Sequence, residues 1–176
     1  MSSPYNLPDY RKSFEHKTLS KIHGEPDIDS LSQMFREVKR NSQKVKTTLG
    51  GGQHGYLALV LSNAAYTNIP GTTAFNRPTD PGPFDVEAPN PTGGVMTRAQ
   101  IEEGIAALTA ADITRQKIKY DERLRLYNEC QAVESALRDQ ITEAIQDEYL
   151  DSMRDSATDM INESIPDIFT YLQTTI

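Results

Sequence analysis

Acidic residues recur at every fourth position near the carboxyl end of the chain, and no other group of residues has a spacing as suggestive of chemistry. The row comprises Asp139, Glu143, Asp147, Asp151, Asp155, Asp159, Glu163 and Asp167. It suits a solvated face, a surface for a basic partner, or a carboxylate metal site. Metal sites in helical bundles join inward carboxylates to Glu-x-x-His motifs, and this stretch has no histidine. The spacing therefore favours a surface over a metal site.

Glycines at Gly50, Gly52 and Gly55 satisfy the G-x-G-x-x-G spacing of dinucleotide-binding loops. Such a loop follows an apolar strand within a strand-helix-strand repeat. The preceding segment reads KVKTTL and the chain has no strand repeat, so we expect no cofactor here. We predict instead a turn that reverses a mostly buried helix, Tyr56 to about Tyr66, onto the helix before it.

The remaining reactive side chains are few. Cys130 is the single cysteine and has no His/Asn partner motif, so we predict a small buried or half-buried hydrophobe. His16 and His23 lack further ligands at metal-binding spacing and are expected to be exposed. We therefore predict no catalytic residues, no enzyme activity, no metal, no cofactor and no small-molecule substrate.

One cysteine also fits a reducing compartment. The best apolar run, Tyr56 to Ala65, is about ten residues long, whereas a membrane-spanning helix needs roughly 20. We expect a soluble, cytoplasmic protein with no membrane contact.

The elements that carry these residues are predicted to be helices. Residues 105–165 contain no glycine and no proline, although the chain has ten of each. We interpret this stretch as helix throughout with short turns, because both residues destabilise helix interiors. Apolar residues also recur every fourth position, namely Leu137, Ile141, Ile145, Tyr149, Met153, Ala157, Ile161, Ile165 and Phe169. A period of four drifts roughly 40° per step around a helix, which favours several shorter helices. Breaks are predicted at Asp151-Ser152 or Asp155-Ser156, and a new helix at Ser164-Ile165-Pro166-Asp167.

Other parts of the chain complete an all-α fold, a multi-helix bundle with an extended N-terminal arm and a long Pro/Gly-rich loop. Residues 1–26 are predicted to be an extended or disordered arm, and residues 27–176 a helical domain. Its first helix begins at Asp27 or Asp29 and ends before Gly50. The irregular loop covers 67–96, where Phe75, Phe84 and Val86 could pin it to a core or dock on a partner. Thr97 and Gln100 form a capping box that starts the long helical region.

Charge is distributed unevenly behind a net value of −7. Residues 1–49 carry nine Lys/Arg against six Asp/Glu, whereas 97–176 carry eight against sixteen. Such asymmetry suits contact between copies better than broad nucleic-acid binding. The candidate assembly surfaces are therefore a basic set, Arg36, Lys39, Arg40 and Lys44, and an acidic set, Asp147, Asp151, Asp155 and Asp159.

Three segments together resemble a known family: Gly51-Gly52-Gln53-His54-Gly55-Tyr56-Leu57, the loop from Thr73 to Gly82, and the region from Tyr127 to Thr175. They are similar to the Gag-like capsid region of Ty1/copia-type LTR retrotransposons, over roughly residues 28–175. The resemblance implies an all-helical capsid protein that self-associates into virus-like particles around element RNA, and it implies no catalytic residues. The family motif corresponds here to Gly51, Gly52, Gly55, Tyr56 and Leu57. The Cys-Cys-His-Cys zinc knuckle of many Gag proteins is absent, and the chain ends before the second half of the capsid region.

From these observations we expect a structural, self-associating protein of Gag-capsid type, whose chief partner is a second copy of itself. A weak RNA contact through the basic N-terminal part is a further expectation. The alternative is a monomeric helical adaptor that presents a groove or the proline-rich loop to another protein.

Overall fold

The structure, a computed structural model, describes residues 7–175. Within that range the chain forms five α-helices and several short 3-10 turns, with no β-strand beyond one isolated bridge between Arg154 and Ile161. The α-helices are α1 (Ile28–Lys44), α2 (Asn63–Thr67), α3 (Arg98–Ala106), α4 (Ala110–Ala144) and α5 (Ile165–Thr175). The predicted all-α class is confirmed.

The described residues fall into two compact units, which divide after Arg77 and after Asn128. Unit 1 contains residues 7–77 and 129–175, and unit 2 contains residues 78–128. All the buried apolar residues that form the core belong to unit 1. They come chiefly from α1, from the last part of α4 and from α5, with Phe35 and Phe169 in ring contact at 4.7 Å between centroids.

The first helix is as predicted. Asp27 accepts a hydrogen bond from the backbone of Ser30, and the Ser30 side chain accepts one from the backbone of Asp27, so the two residues form a capping box. Leu31, Met34 and Val38 then point into the core. Their spacing places them on one face, which α5 and the later part of α4 cover.

The helix predicted from Tyr56 to about Tyr66 is wrong in its continuity. A 3-10 turn covers Leu57–Leu59, and α2 begins only at Asn63 with Ser62 as its cap. The Ser62 hydroxyl bonds the backbone N–H of Ala65, which starts a new helix rather than continuing an old one.

The glycine- and proline-free stretch is divided among several helices, as predicted, but it is not helical throughout. The capping box at Thr97 is confirmed, but α3 ends at Ala106, and Thr109 and Asp112 cap a separate helix α4. After Ala144 the chain makes two 3-10 turns, Asp147–Tyr149 and Asp151–Met153, and then a loop.

Residues 147–164 are rich in Asp, Ser, Thr and Asn, whose short polar side chains bond nearby backbone groups and compete with helix formation. Asp155 shows this directly, because its carboxylate accepts from the N–H groups of Ala157 and Thr158. The predicted restart at Ser164 is confirmed, with Ser164 bonded to Asp167 at the start of α5. Absence of glycine and proline was therefore not enough to define a helix.

Residues 7–26, the described part of the predicted arm, are largely non-helical apart from a 3-10 turn at Tyr10–Ser13. They nevertheless supply four core residues, Tyr10, Phe14, Leu19 and Ile22. We call residues 10–22 the strap. The remaining six residues of the predicted arm, 1–6, lie outside the described residues.

Buried polar groups hold the strap in place. The Asn41 amide bonds the backbone of His16 in both directions, at 2.7 and 2.9 Å. Gln140 on α4 donates to the carbonyls of His16 and Lys17 and accepts from Asn41. Because each of these buried groups finds a partner, the strap is an integral layer of unit 1.

Glu37 on α1 binds the strap through Ser20, which donates both its backbone N–H and its hydroxyl to the carboxylate. Burial acts to raise the pKa of Glu37, but the hydrogen bonds from Ser20 and Gln33 outweigh it and the pKa is lowered. The carboxylate is thus held in its charged form beneath the strap.

Candidate functional site

The glycines at positions 51, 52 and 55 lie in a tight reversal that follows α1. Gly51 and Gly52 are exposed, whereas Gly55, Tyr56 and Leu57 are buried. Gly55 has φ 52°, and a Cβ there would lie 2.5 Å from the carbonyl oxygen of Val45. Only glycine can bring the chain this close to the end of α1. The predicted turn is confirmed, and its role in the structure is to fold the following residues back onto α1.

The basic candidate residues lie along the solvent-facing side of α1. Arg36, Arg40 and Lys44 are exposed and Lys39 is half-buried. Arg40 and Lys44 lie 3.7 and 3.4 Å from the carboxylate of Glu15. The Lys39 ammonium lies 4.7 Å from the centroid of the Phe35 ring. The stripe thus stays cationic, with one acid shared between two of its members.

A groove of about 320 Å³ runs beside this stripe. Three of the predicted residues line it, Arg36, Lys39 and Arg40. Its apolar side comes from the segment that the glycine turn folds back, through Leu57, Leu61 and Ile69. The fourth basic candidate, Lys44, is not among the lining residues. The basic residues predicted as a surface stripe therefore form the rim of a groove, and the floor of the groove is aliphatic. We call it the basic groove.

The acidic candidate residues do not share a helix face, contrary to the helical spacing expected for them. Asp147 and Asp151 lie on the two 3-10 turns, 2.7 and 3.6 Å from the guanidinium of Arg154. Asp155 and Asp159 lie in the loop that follows. All four are exposed.

The eight residues of the acidic row are likewise all exposed, and most of the apolar row two positions away is buried. The separation of acidic from apolar residues was therefore predicted correctly. The helical backbone was predicted correctly at both ends of the row, on α4 and α5, but not between residues 145 and 164.

The loop from Arg154 to Ile161, which we call the acidic loop, is closed by its own backbone. The Asp155 N–H donates to the carbonyl of Met160 at 2.9 Å, and the Asp159 N–H donates to the carbonyl of Asp155 at 2.8 Å. Hydrogen bonds from Ala157 and Thr158 also lower the pKa of Asp155. The acidic loop is consequently a preformed structure that carries negative charge.

Met160 projects from this loop with 60% of its surface exposed. Sequence reasoning missed it, along with the floor of the basic groove. A signal was present, because Met160 lies outside the every-fourth apolar row and directly after an acidic residue. An apolar side chain out of phase with the buried row is a candidate for exposure.

Unit 2 contains a larger opening of about 910 Å³. The proline-rich segment forms one side through Pro81, Phe84 and Pro89, and α4 contributes Arg115, Lys119 and Arg123. The segment is attached to α4 by two hydrogen bonds between Gln116 and the backbone of Glu87, at 2.8 and 2.9 Å.

Of the two loop phenylalanines, only Phe75 packs against a buried core as expected, because no residue of unit 2 is buried. Phe84 packs on Tyr120 in unit 2, with ring centroids 5.3 Å apart, and Phe75 packs on Tyr56 and Tyr66 in unit 1.

Several titratable side chains of unit 1 are buried, and their contacts are with other residues of the same unit. The Tyr56 hydroxyl donates a hydrogen bond to Glu129 at 2.6 Å. Burial is the main cause that raises the pKa of Tyr56, and this hydrogen bond is the second. Arg77 forms a two-point contact with the buried carboxylate of Glu134.

Cys130 is 1% exposed, and burial raises the pKa of its thiol to about 11. At neutral pH this thiol is a weak nucleophile, and its burial confirms the predicted small hydrophobe.

The histidine expectation holds in part, since His23 is exposed and His16 is half-buried. Among residues 7–175, no three His, Cys, Asp or Glu side chains are grouped so as to hold a metal ion. None of the described helices combines the length and apolar composition needed to cross a membrane.

Comparison with known proteins identifies no relative of this chain. None of the family models matches this chain. The comparisons with curated proteins and with solved structures give no match either. The Gag-like resemblance and the function that it implies therefore stay predictions.

Proposed function

We propose that this chain is a structural, self-associating protein of Gag-capsid type, in which copies bind each other through oppositely charged surfaces and enclose element RNA. The observation that carries the proposal is the charge distribution of unit 1. The cations of the α1 stripe and the carboxylates of Asp155 and Asp159 in the acidic loop reach the surface and are opposite in sign.

The ion pairs of the described residues do not join the two surfaces within one chain. Arg40 and Lys44 pair with Glu15, and Arg154 of the acidic loop pairs with Asp147 and Asp151, which precede the loop. A second copy is the simplest source of a complementary surface for each, because every copy carries both.

Finer features belong to the same proposal. The helices would form a multi-helix bundle with a long Pro/Gly-rich loop, and assembly would take place in the cytoplasm. RNA would contact the basic N-terminal part only weakly, since its cations are few and two of them share Glu15.

Light scattering after size exclusion tests the proposal, at several protein concentrations and at low and high salt. We expect species heavier than 19.7 kDa that grow with concentration and shrink when salt is raised, because salt screens exposed charges. A mass of 19.7 kDa at every concentration and salt would contradict self-association.

A second function is favoured by one observation, the 910 Å³ opening of unit 2. An opening beside a proline-rich segment suits a monomeric adaptor that binds another protein there. The same light-scattering experiment separates the two, since an adaptor stays monomeric.

A further inference from the structure

We propose that Met160 of one copy inserts into the basic groove of another, so that self-association proceeds head to tail through this knob and groove. The inference rests on the proposed self-association and assigns its contact. It names a single occupant for the basic groove, the acidic loop of a second copy of this chain.

The groove has the composition that such a loop requires. Its floor is aliphatic, from Leu57, Leu61 and Ile69, and its rim is cationic. A floor of this kind favours an apolar side chain. The cationic rim favours a ligand that carries carboxylates beside that side chain. At about 320 Å³, the space is roughly ten times the ~30 Å³ share of one water molecule in the liquid, so one side chain and its neighbours fit.

The acidic loop supplies both parts. Met160 is unbranched and adapts to irregular cavities. Asp159 precedes it, and Asp155 bonds its backbone across the loop. Since the loop is already closed by hydrogen bonds, binding orders little additional chain. Arg154, the one cation of the loop, is engaged by Asp147, Asp151 and the carbonyl of Asp159. The apolar tip and the carboxylates of Asp155 and Asp159 therefore match the floor and the rim.

RNA fits the groove less well. Binding of single strands combines cations with aromatic platforms on which bases stack. The residues lining the groove are Arg36, Lys39, Arg40, Gln43, Leu57, Leu61 and Ile69, none of them aromatic. The aliphatic floor favours a protein side chain over a base.

The geometry has a consequence for assembly. Knob and groove are different patches of the same chain, so the contact is heterologous and leaves a free knob and a free groove at the two ends. Growth then continues into a ring or an open filament instead of stopping at a dimer.

Two substitutions that block opposite sides of the contact test the inference. Met160→Lys places a cation on the knob, and Leu61→Lys places one in the groove. We expect each variant alone to associate at least about tenfold more weakly than the wild type. Met160→Lys brings a cation against the cationic rim, and Leu61→Lys puts a charged side chain into the aliphatic floor that holds Met160. An equal mixture has one intact knob and one intact groove, and is expected to form pairs of chains and nothing larger. Sedimentation velocity distinguishes pairs from longer assemblies.

Ile118→Lys is the matched control, because Ile118 is 63% exposed and lies in unit 2. It should leave association unchanged. Circular dichroism of all variants checks folding, and pairing in the mixture shows independently that the Leu61 variant is folded.

Other results overturn the inference in recognisable ways. If the wild type associates and both lysine variants associate equally well, the knob and groove are wrong while the proposed function stands. If the wild type is monomeric throughout, both fail. Loss of binding to a uridine-rich oligonucleotide in Arg36→Glu/Arg40→Glu, with unchanged self-association, would assign the groove to RNA instead.

Discussion

The two units differ in what holds them together. In unit 1, helices α1, α4 and α5 and the strap enclose a continuous apolar core that includes Leu31, Met34 and Ile141, each at most 1% exposed. In unit 2, which the structure describes throughout, no residue of 78–128 is buried. Its contacts are local, such as the stacking of Phe84 on Tyr120 and the bonds between Gln116 and Glu87.

Length and composition explain the difference. A segment of about 50 residues buries too small a fraction of its surface to gain much hydrophobic stabilisation. The proline-rich half of unit 2 adds few apolar side chains, and Ile101, Ile105, Ile113 and Ile118 are exposed. Most of the free energy of folding therefore comes from the core of unit 1. The proposed knob and groove lie in the same unit.

The largest difference in unfolding free energy is expected between alanine substitutions of two isoleucines on α4, one in each unit. Ile141 is 0% exposed and Ile118 is 63% exposed. Ile141→Ala should cost about 2–5 kcal/mol of unfolding free energy because it leaves a cavity, whereas Ile118→Ala should change it by less than about 0.5 kcal/mol. Urea unfolding followed by circular dichroism measures both. Similar costs for the two would remove the contrast between the units.

An intermediate effect is expected from two glutamines of α4 that bond backbone groups of other segments. Gln140→Ala leaves the carbonyls of His16 and Lys17 and the amide of Asn41 without one partner each, at a cost of about 1–3 kcal/mol. Gln116→Ala exposes the backbone of Glu87 to water and should cost less than about 1 kcal/mol. The same unfolding assay applies, and a larger cost at Gln116 would place the stabilising network in unit 2.

The smallest effect is a pH dependence that Glu37 confers. Folding lowers the pKa of this carboxyl, so the folded state holds fewer protons there than the unfolded state. Its contribution is therefore complete above the ordinary glutamate value of 4.5 and is lost as pH falls through the lower folded value. Unfolding free energies from about pH 6 to about pH 3 should decline less steeply in Glu37→Gln than in the wild type.

Asp112 is the matched control in unit 2, since Thr109 lowers its pKa by hydrogen bonding at the surface. Asp112→Asn should leave the acid decline of unit 1 unchanged. Identical declines in the wild type and in Glu37→Gln would mean that the carboxylate beneath the strap does not contribute.

Local signals in the sequence predicted much of the helical framework. The start of α1 at Asp27, the capping box at Thr97 and the start of α5 at Ser164 each depend on residues within one helical turn. The burial of the apolar row and the exposure of the acidic row were also predictable, since alternation of polarity persists even where the backbone is not helical.

Features that depend on distant residues were not predictable in the same way. The strap has no periodic pattern, and its place in the core depends on Asn41 and Gln140. The basic rim was visible in the sequence, but the groove exists only because the reversal at Gly55 brings Leu57, Leu61 and Ile69 beside α1.

Hydrogen exchange at two protein concentrations shows whether copies of the chain associate through unit 1. We expect that raising the concentration slows exchange in residues 57–69 and 154–161, which contain the groove floor and the knob, while residues 78–128 exchange as before. Exchange that slows in 78–128 instead, or in no segment, would contradict association through unit 1.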